Sequence, residues 1–242
     1  MRDLTLRSKV ILGLSLGIAA FSVHATAPSN DVQLFKNIRF GQTAEEILKD
    51  SAMAPCAQTN DADLMAVAPD GVCRKTELNF FGINGWKMAV QMLNGKAAQV
   101  MLFKASDYTE VQRVTASLMK SGYIGLAVDE DGKVLVDAIA SLRANPKSDF
   151  ARLFADAENQ VTSKGTFNLG YSFYQVDTKD IQEAVKLGSL TNYLMNGASP
   201  KLRAVELRMV QDPETGLILL LSFLAPKAAL LEINNSAQAE EF

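Results

Sequence analysis

Two apolar-rich runs with few polar positions flank Asn94-Gly95, across residues 86–103 (WKMAVQMLNGKAAQVMLF). Asn-Gly between two apolar runs predicts a two-residue type I′ hairpin, because that turn needs φ > 0 at both central residues. Such a turn sets the pairing: Leu93 with Lys96, Met92 with Ala97, Val90 with Gln99, Met88 with Met101 and Trp86 with Phe103. The last four pairs share a face on which only Gln99 is polar, so that face is expected to be buried, with Trp86 and Phe103 in the core. The opposite face mixes Lys87, Gln91 and Lys96 with small and apolar residues and is expected to be partly wet.

The same reading extends outward. Residues 76–81 form a further strand, giving a three-stranded meander over 76–103. Thr43 with Glu46 makes a capping box opening a short helix that ends near Asp50 or Ser51. Asp107 with Glu110 makes a second, opening a helix to about Lys120 with Tyr108, Val111, Val114, Thr115, Leu118 and Met119 on its apolar face. Strands at 123–128 and 133–136 flank an acidic turn at 129–132, and Asn145-Pro146 restarts a helix whose stripe is Phe150, Leu153, Phe154, Ala157 and Val161. Residues 166–176 alternate, with Phe167, Leu169, Tyr171 and Phe173 on one face. A helix capped by Asp177 or Thr178 runs through Leu194. A last hairpin joins 203–210 to 217–224, and the run LILLLSFL suits a central strand covered on both faces. Residues 26–33 read as a flexible arm, and the tail frays from Asn234. The fold class is α+β, antiparallel meander sheets packed with helices, in two sequential units at 26–122 and 123–242.

The N-terminus changes the setting. Arg2, Arg7 and Lys9 precede an apolar run at 10–21 and a small-x-small site at Val23-His24-Ala25, the pattern of a secretory signal over 1–25. The run is short for a spanning helix, which needs about 20 residues, so an uncleaved anchor is the weaker reading and the chain is not expected to be an integral membrane protein. A periplasmic location follows. Residues 26–242 carry 21 basic and 26 acidic side chains, a net charge of −5 with no basic block, which argues against nucleic acid as partner. His24 is the only histidine, so the exported chain has none. That removes Ser-His-Asp and Cys-His nucleophiles, imidazole zinc sites and histidine switches. Cys56 and Cys73, the only cysteines, are expected to form a disulfide in an oxidising compartment rather than a two-thiolate metal site.

Residues 38–47 follow the pattern Ile-Arg-x-Gly-x-Thr-x-x-x-Ile, which resembles the opening helix of the SmpA/OmlA (BamE-like) envelope domains. The likeness covers residues 38–48 and the order of a helix followed by a meander. The Leu-Gly usual after that helix is replaced by Leu48-Lys49, the lipoprotein cysteine is missing, and the Cys56–Cys73 loop is additional. The resemblance implies a small α+β envelope module with a fold similar to β-lactamase-inhibitor protein.

Candidate chemistry is sparse. Ser117 and Lys120 spell S-x-x-K, but the helical pattern turns them from the apolar face and the companion motifs are absent. Set on the EF-hand frame, Asp129-Glu130-Asp131-Gly132 puts alanines at the first and last ligand positions, so the segment reads as an acidic turn. A glycosidase needs only two carboxylates, for which Glu77, Glu206, Asp137 and Asp180 are candidates with no pair preferred. Tyr174, opposite Phe173, is the aromatic expected to be exposed for a contact. No catalytic residue, metal or cofactor is assigned. The sequence points to an exported, non-catalytic protein that binds another protein or an envelope component; the alternative is a carboxylate-dependent hydrolase of envelope glycans.

Overall fold

In the computed structural model, which describes residues 32–239 (side chains to 234), the elements run as follows. First come β1 (Gln33–Phe35), β2 (Ile38–Arg39), α1 (Ala44–Ile47), β3 (Met53–Pro55), a 3-10 turn (Cys56–Gln58), α2 (Ala62–Val67), β4 (Val72–Arg74) and β5 (Leu78–Phe80). The central hairpin is β6 (Ile83–Leu93) and β7 (Lys96–Ala105), followed by α3 (Tyr108–Lys120). Then come β8 (Ile124–Glu130), β9 (Lys133–Asp137), α4 (Ala138–Ala144), α5 (Phe150–Thr162), β10 (Phe167–Tyr174), α6 (Thr178–Leu187) and α7 (Leu190–Asn196). The chain closes with β11 (Ala204–Asp212), β12 (Gly216–Leu224) and α8 (Pro226–Ala239).

The fold is α+β. One antiparallel sheet runs in the order β3-β4-β6-β7-β12-β11-β10-β8-β9, with β5 beside β6. The segments 26–122 and 123–242 are joined in it through β7 and β12. Asn94 and Gly95 have φ of 51° and 74°, as the turn requires. Leu93 pairs with Lys96 and Met92 with Ala97, as expected, but then Gln91 pairs with Gln99 and Val90 with Val100. The extra residue, Ala98, is a β-bulge that shifts every later pair by one position. Trp86, Met88 and Val90 therefore share the main core with Val100 and Leu102, while Met101 and Phe103 face the other way. Gln99, the polar misfit on the expected buried face, leaves it and donates to Gln91 at 2.6 Å.

The main core lies on one face of the sheet. There Leu219, Leu221, Leu207, Met209, Leu169 and Tyr171 pack against the β1–β2 hairpin, α1, α3, α5 and the start of α8. The second face is covered only at its ends. At one end the Cys56–Cys73 disulfide closes with a Cα–Cα distance of 4.8 Å, and it packs with Leu64 of α2 on Ala89, Met101 and Phe103. At the other, α4, α6 and α7 bury Ile139, Ala184 and Tyr193 against Leu126, Tyr174 and Ala204.

Several local expectations need correction. Thr43 and Glu46 make the full capping box, yet α1 ends at Ile47. At α3 only half of the box forms: Asp107 accepts from Glu110 N, while the Glu110 carboxylate turns to Lys104 and Ser106. Tyr108 and Met119 of the expected α3 stripe are exposed. Asn145 ends α4 rather than starting a helix, and Asp149 caps α5. The helix expected through Leu194 breaks after Leu187, and Ser189 caps a separate α7. Val32 is buried and Gln33 pairs in β1, so those residues are not part of a flexible arm, and the backbone is helical from Pro226 to Ala239. Residues 1–25 and the rest of the arm lie outside the described residues. Among the described residues no helix is long and apolar enough to cross a membrane.

Candidate functional site

The middle of the second face is covered only in part: Leu220 packs against the disulfide end and Ser222 is buried, but the neighbouring positions are not closed over. Burial along β11 and β12 shows it directly. Val205, Leu207 and Met209 are fully buried, while Glu206, Arg208 and Val210 between them are half-buried. On β12, Leu217, Leu219 and Leu221 are buried, but Ile218 and Leu220 are half-buried. The apolar run LILLLSFL thus belongs to a central strand, as expected, with the covering complete on only one side.

Cross-strand pairing assembles a patch from these residues. Val210 lies opposite Ile218, Arg208 opposite Leu220, and Glu206 opposite Ser222. Leu220 continues to Phe103 on β7, and Arg208 continues to Gly170 on β10 and then to Asp129 on β8. Val210, Ile218 and Leu220 therefore stand beside a charged cluster of Arg208, Glu206 and Asp129.

Arg208 is held on three sides. Nη1 donates to Asn168 Oδ1 at 3.0 Å, and Nη2 donates to Asp129 Oδ1 and Oδ2 at 3.1 and 3.3 Å and to Glu206 Oε1. Asp129 Oδ1 also accepts from Gly132 N at 2.9 Å, which ties the acidic turn to the network. The Arg208 and Asp129 side chains are 15% and 12% exposed, so water screens the pair only weakly. Burial pulls the guanidinium pKa down, but the Glu206 and Asp129 carboxylates outweigh it and hold the group firmly charged, raised from its ordinary value. Space for the pair comes from Gly170. A Cβ there lies 2.8 Å from Arg208 Nη2 and 2.9 Å from Asp129 Cγ, closer than side chains tolerate.

The residues singled out from the sequence fall elsewhere, with one exception. Tyr174 is on the expected face, opposite Phe173, but α4, α6 and α7 cover it to 8% exposure, so it offers no accessible contact. Asp137 caps α4 through Ile139 N and Ala140 N and accepts from Leu190 N at 3.0 Å. Asp180 completes the α6 capping box and accepts from Tyr193 Oη at 2.8 Å. Glu77 is exposed ahead of β5. Glu206 alone joins the patch. Ser117 donates its hydroxyl to Arg113 O, and Lys120 is exposed. Glu130 of the acidic turn pairs with Lys164. Among the described residues no group of three or more His, Cys, Asp and Glu side chains is placed to hold a metal ion.

Asp129 and Arg208 were missed as partners because 79 residues separate them. The usable signal was Gly170, a glycine inside an otherwise bulky strand, which marks a close approach across the sheet. Comparison with protein families, curated proteins and solved structures finds no match to this chain.

Proposed function

We propose that this chain is an exported, non-catalytic binding protein of the cell envelope, whose contact surface is the open middle of the second sheet face. The observation that carries the proposal is the incomplete cover over β12: Ile218 and Leu220 are apolar yet half-buried, beside Val210 and the fixed Arg208. Apolar side chains left wet around an immobilised arginine suit a protein contact, because exposed apolar patches mark interaction surfaces and arginine is enriched among the residues that dominate interface energies. The patch is also preorganised, since Arg208 is held by Asn168, Asp129 and Glu206 before any partner arrives, which lowers the entropy cost of binding. The disulfide is compatible with export, and the SmpA/OmlA-like pattern at 38–48 with an envelope role.

A hydrolase of envelope glycans is the second reading, favoured by one feature: Asp129 and Glu206 converge on a single nitrogen, Arg208 Nη2. Both carboxylates are occupied by that guanidinium, whereas a glycosidase pair must bracket the scissile bond.

In-cell crosslinking followed by pull-down, comparing wild type with an Ile218→Ser/Leu220→Ser double variant, separates the readings. A binder loses its crosslinked species in the variant while the melting temperature holds. Crosslinks unchanged in a folded variant count against the proposal. Glycan cleavage that disappears in Glu206→Gln supports the hydrolase.

A further inference from the structure

On the opposite face of the sheet, under α1, lies a pocket of about 300 Å³. Arg74 lines it in an apolar setting. The β3–β4 pairing puts Met53 opposite Arg74, and the β4–β6 register, with Cys73 opposite Ala89, carries Arg74 on to Met88. Met53 and Met88 are 5% and 4% exposed, and Ile47 of α1 completes the apolar lining. Arg74 Nε is buried and has no hydrogen-bond partner. A guanidinium donor without an acceptor keeps its full desolvation cost, which a bound anion relieves.

The mouth of the pocket has the same bias. Lys36 and Lys49 line it, and among the described residues neither they nor Arg74 pair with a carboxylate. Two acids, Glu46 and Asp50, also line the pocket, each with a carboxylate oxygen turned to the backbone. Glu46 Oε2 accepts from Thr43 N at 2.9 Å, and Asp50 Oδ1 accepts from Ala52 N at 2.9 Å. Lys36 Nζ lies over the Phe35 ring at 5.4 Å, so an apolar floor stands under three cations that have no carboxylate partner, which favours an anionic ligand with an apolar body.

We infer that this pocket binds a small amphipathic anion, with its alkyl body over Ile47, Met53 and Met88 and its carboxylate or phosphate head against Arg74, Lys36 and Lys49. The inference does not rest on the Arg208 patch, which lies on the other face of the sheet. The volume is at the lower end for ligand pockets, so the body is a short chain rather than a long lipid.

The test follows the methyl resonances of Met53 and Met88 in protein carrying ¹³C-methyl methionine. Octanoate and octyl phosphate are the probes. Octanol, inorganic phosphate and octylammonium control for body, head and sign of charge. Saturable shifts of both methyls with octanoate or octyl phosphate are expected, and the tighter of the two identifies the head. Arg74→Met is expected to weaken that binding at least about tenfold. Should Arg74→Met fail to fold, the Lys36→Met/Lys49→Met variant carries the same expectation. Three results overturn the inference: no saturable shift with either probe, equal binding of octylammonium, or affinity unchanged in the folded variant.

Discussion

Asp129 and Arg208 meet over Gly170, each directly opposite that glycine on its own side of β10. The pair exists because the residue between them has no side chain. Gly170→Ala forces the carboxylate and guanidinium apart while both stay mostly buried. A cost of about 2–3 kcal/mol is expected, between overpacking and loss of a buried ion pair. In an Arg208→Met background the same substitution costs less, because the two changes share one interaction. Chemical denaturation of the four proteins in the cycle measures both effects. Additive costs contradict the arrangement.

The second prediction concerns pH. Asp61 is held below its ordinary value of 3.8: burial pushes it up, but Lys87 and the backbone N–H groups of Leu64 and Asp63 outweigh burial. Glu110 is lowered in the same way, with Lys104 and Ser106 overcoming burial. Lys87 is raised above 10.5, because Asp63 and Asp61 overcome the downward pull of burial. A depressed carboxyl stabilises the fold above its unfolded pKa, and that contribution is lost as pH falls through the folded value. The raised lysine stabilises below its unfolded pKa and loses its contribution as pH rises through the folded one. Residues 26–242 hold no histidine. Melting temperature is therefore expected to be flat from pH 5 to 8, to fall below about pH 4 and to fall again above about pH 10.5. A steep inflection near pH 6 contradicts this.

Reduction of Cys56–Cys73 tests the end cover beside β6. The chain-entropy model gives about 3 kcal/mol for a loop of this length. A Cys56→Ser/Cys73→Ser variant is expected to lose about that much, seen as a lower denaturation midpoint. Protein of intact mass with two free thiols, recovered without reductant, contradicts the bridge.

Asn94-Gly95 to Val-Val places two β-branched residues at φ values of 51° and 74°. Strain of about 1–3 kcal/mol at each position is expected, enough to lower the melting temperature clearly. An unchanged melting temperature contradicts the turn.

The sequence made this turn legible because its chemistry is local, and the same holds for the Thr43–Glu46 box and the faces of β10. Ala98 was not legible as a bulge: an alanine fits either face, and only Gln99 at an apolar position hinted that the register slips. Tyr174 shows the other limit. Alternation fixed its face, but α4, α6 and α7 cover it from distant parts of the chain. The patch has the converse history. An unbroken apolar run on β12 suggested cover on both sides, and periodicity carries no information about where a lid stops.

The most direct measurement places a photoreactive amino acid at Leu220 or at the exposed Met119 of α3, and compares crosslinking in intact cells. A discrete crosslinked species is expected from position 220, weakened by Ile218→Ser, and none from position 119. The same species from both positions, or none from position 220 in a folded protein, contradicts a contact surface on the open face of the sheet.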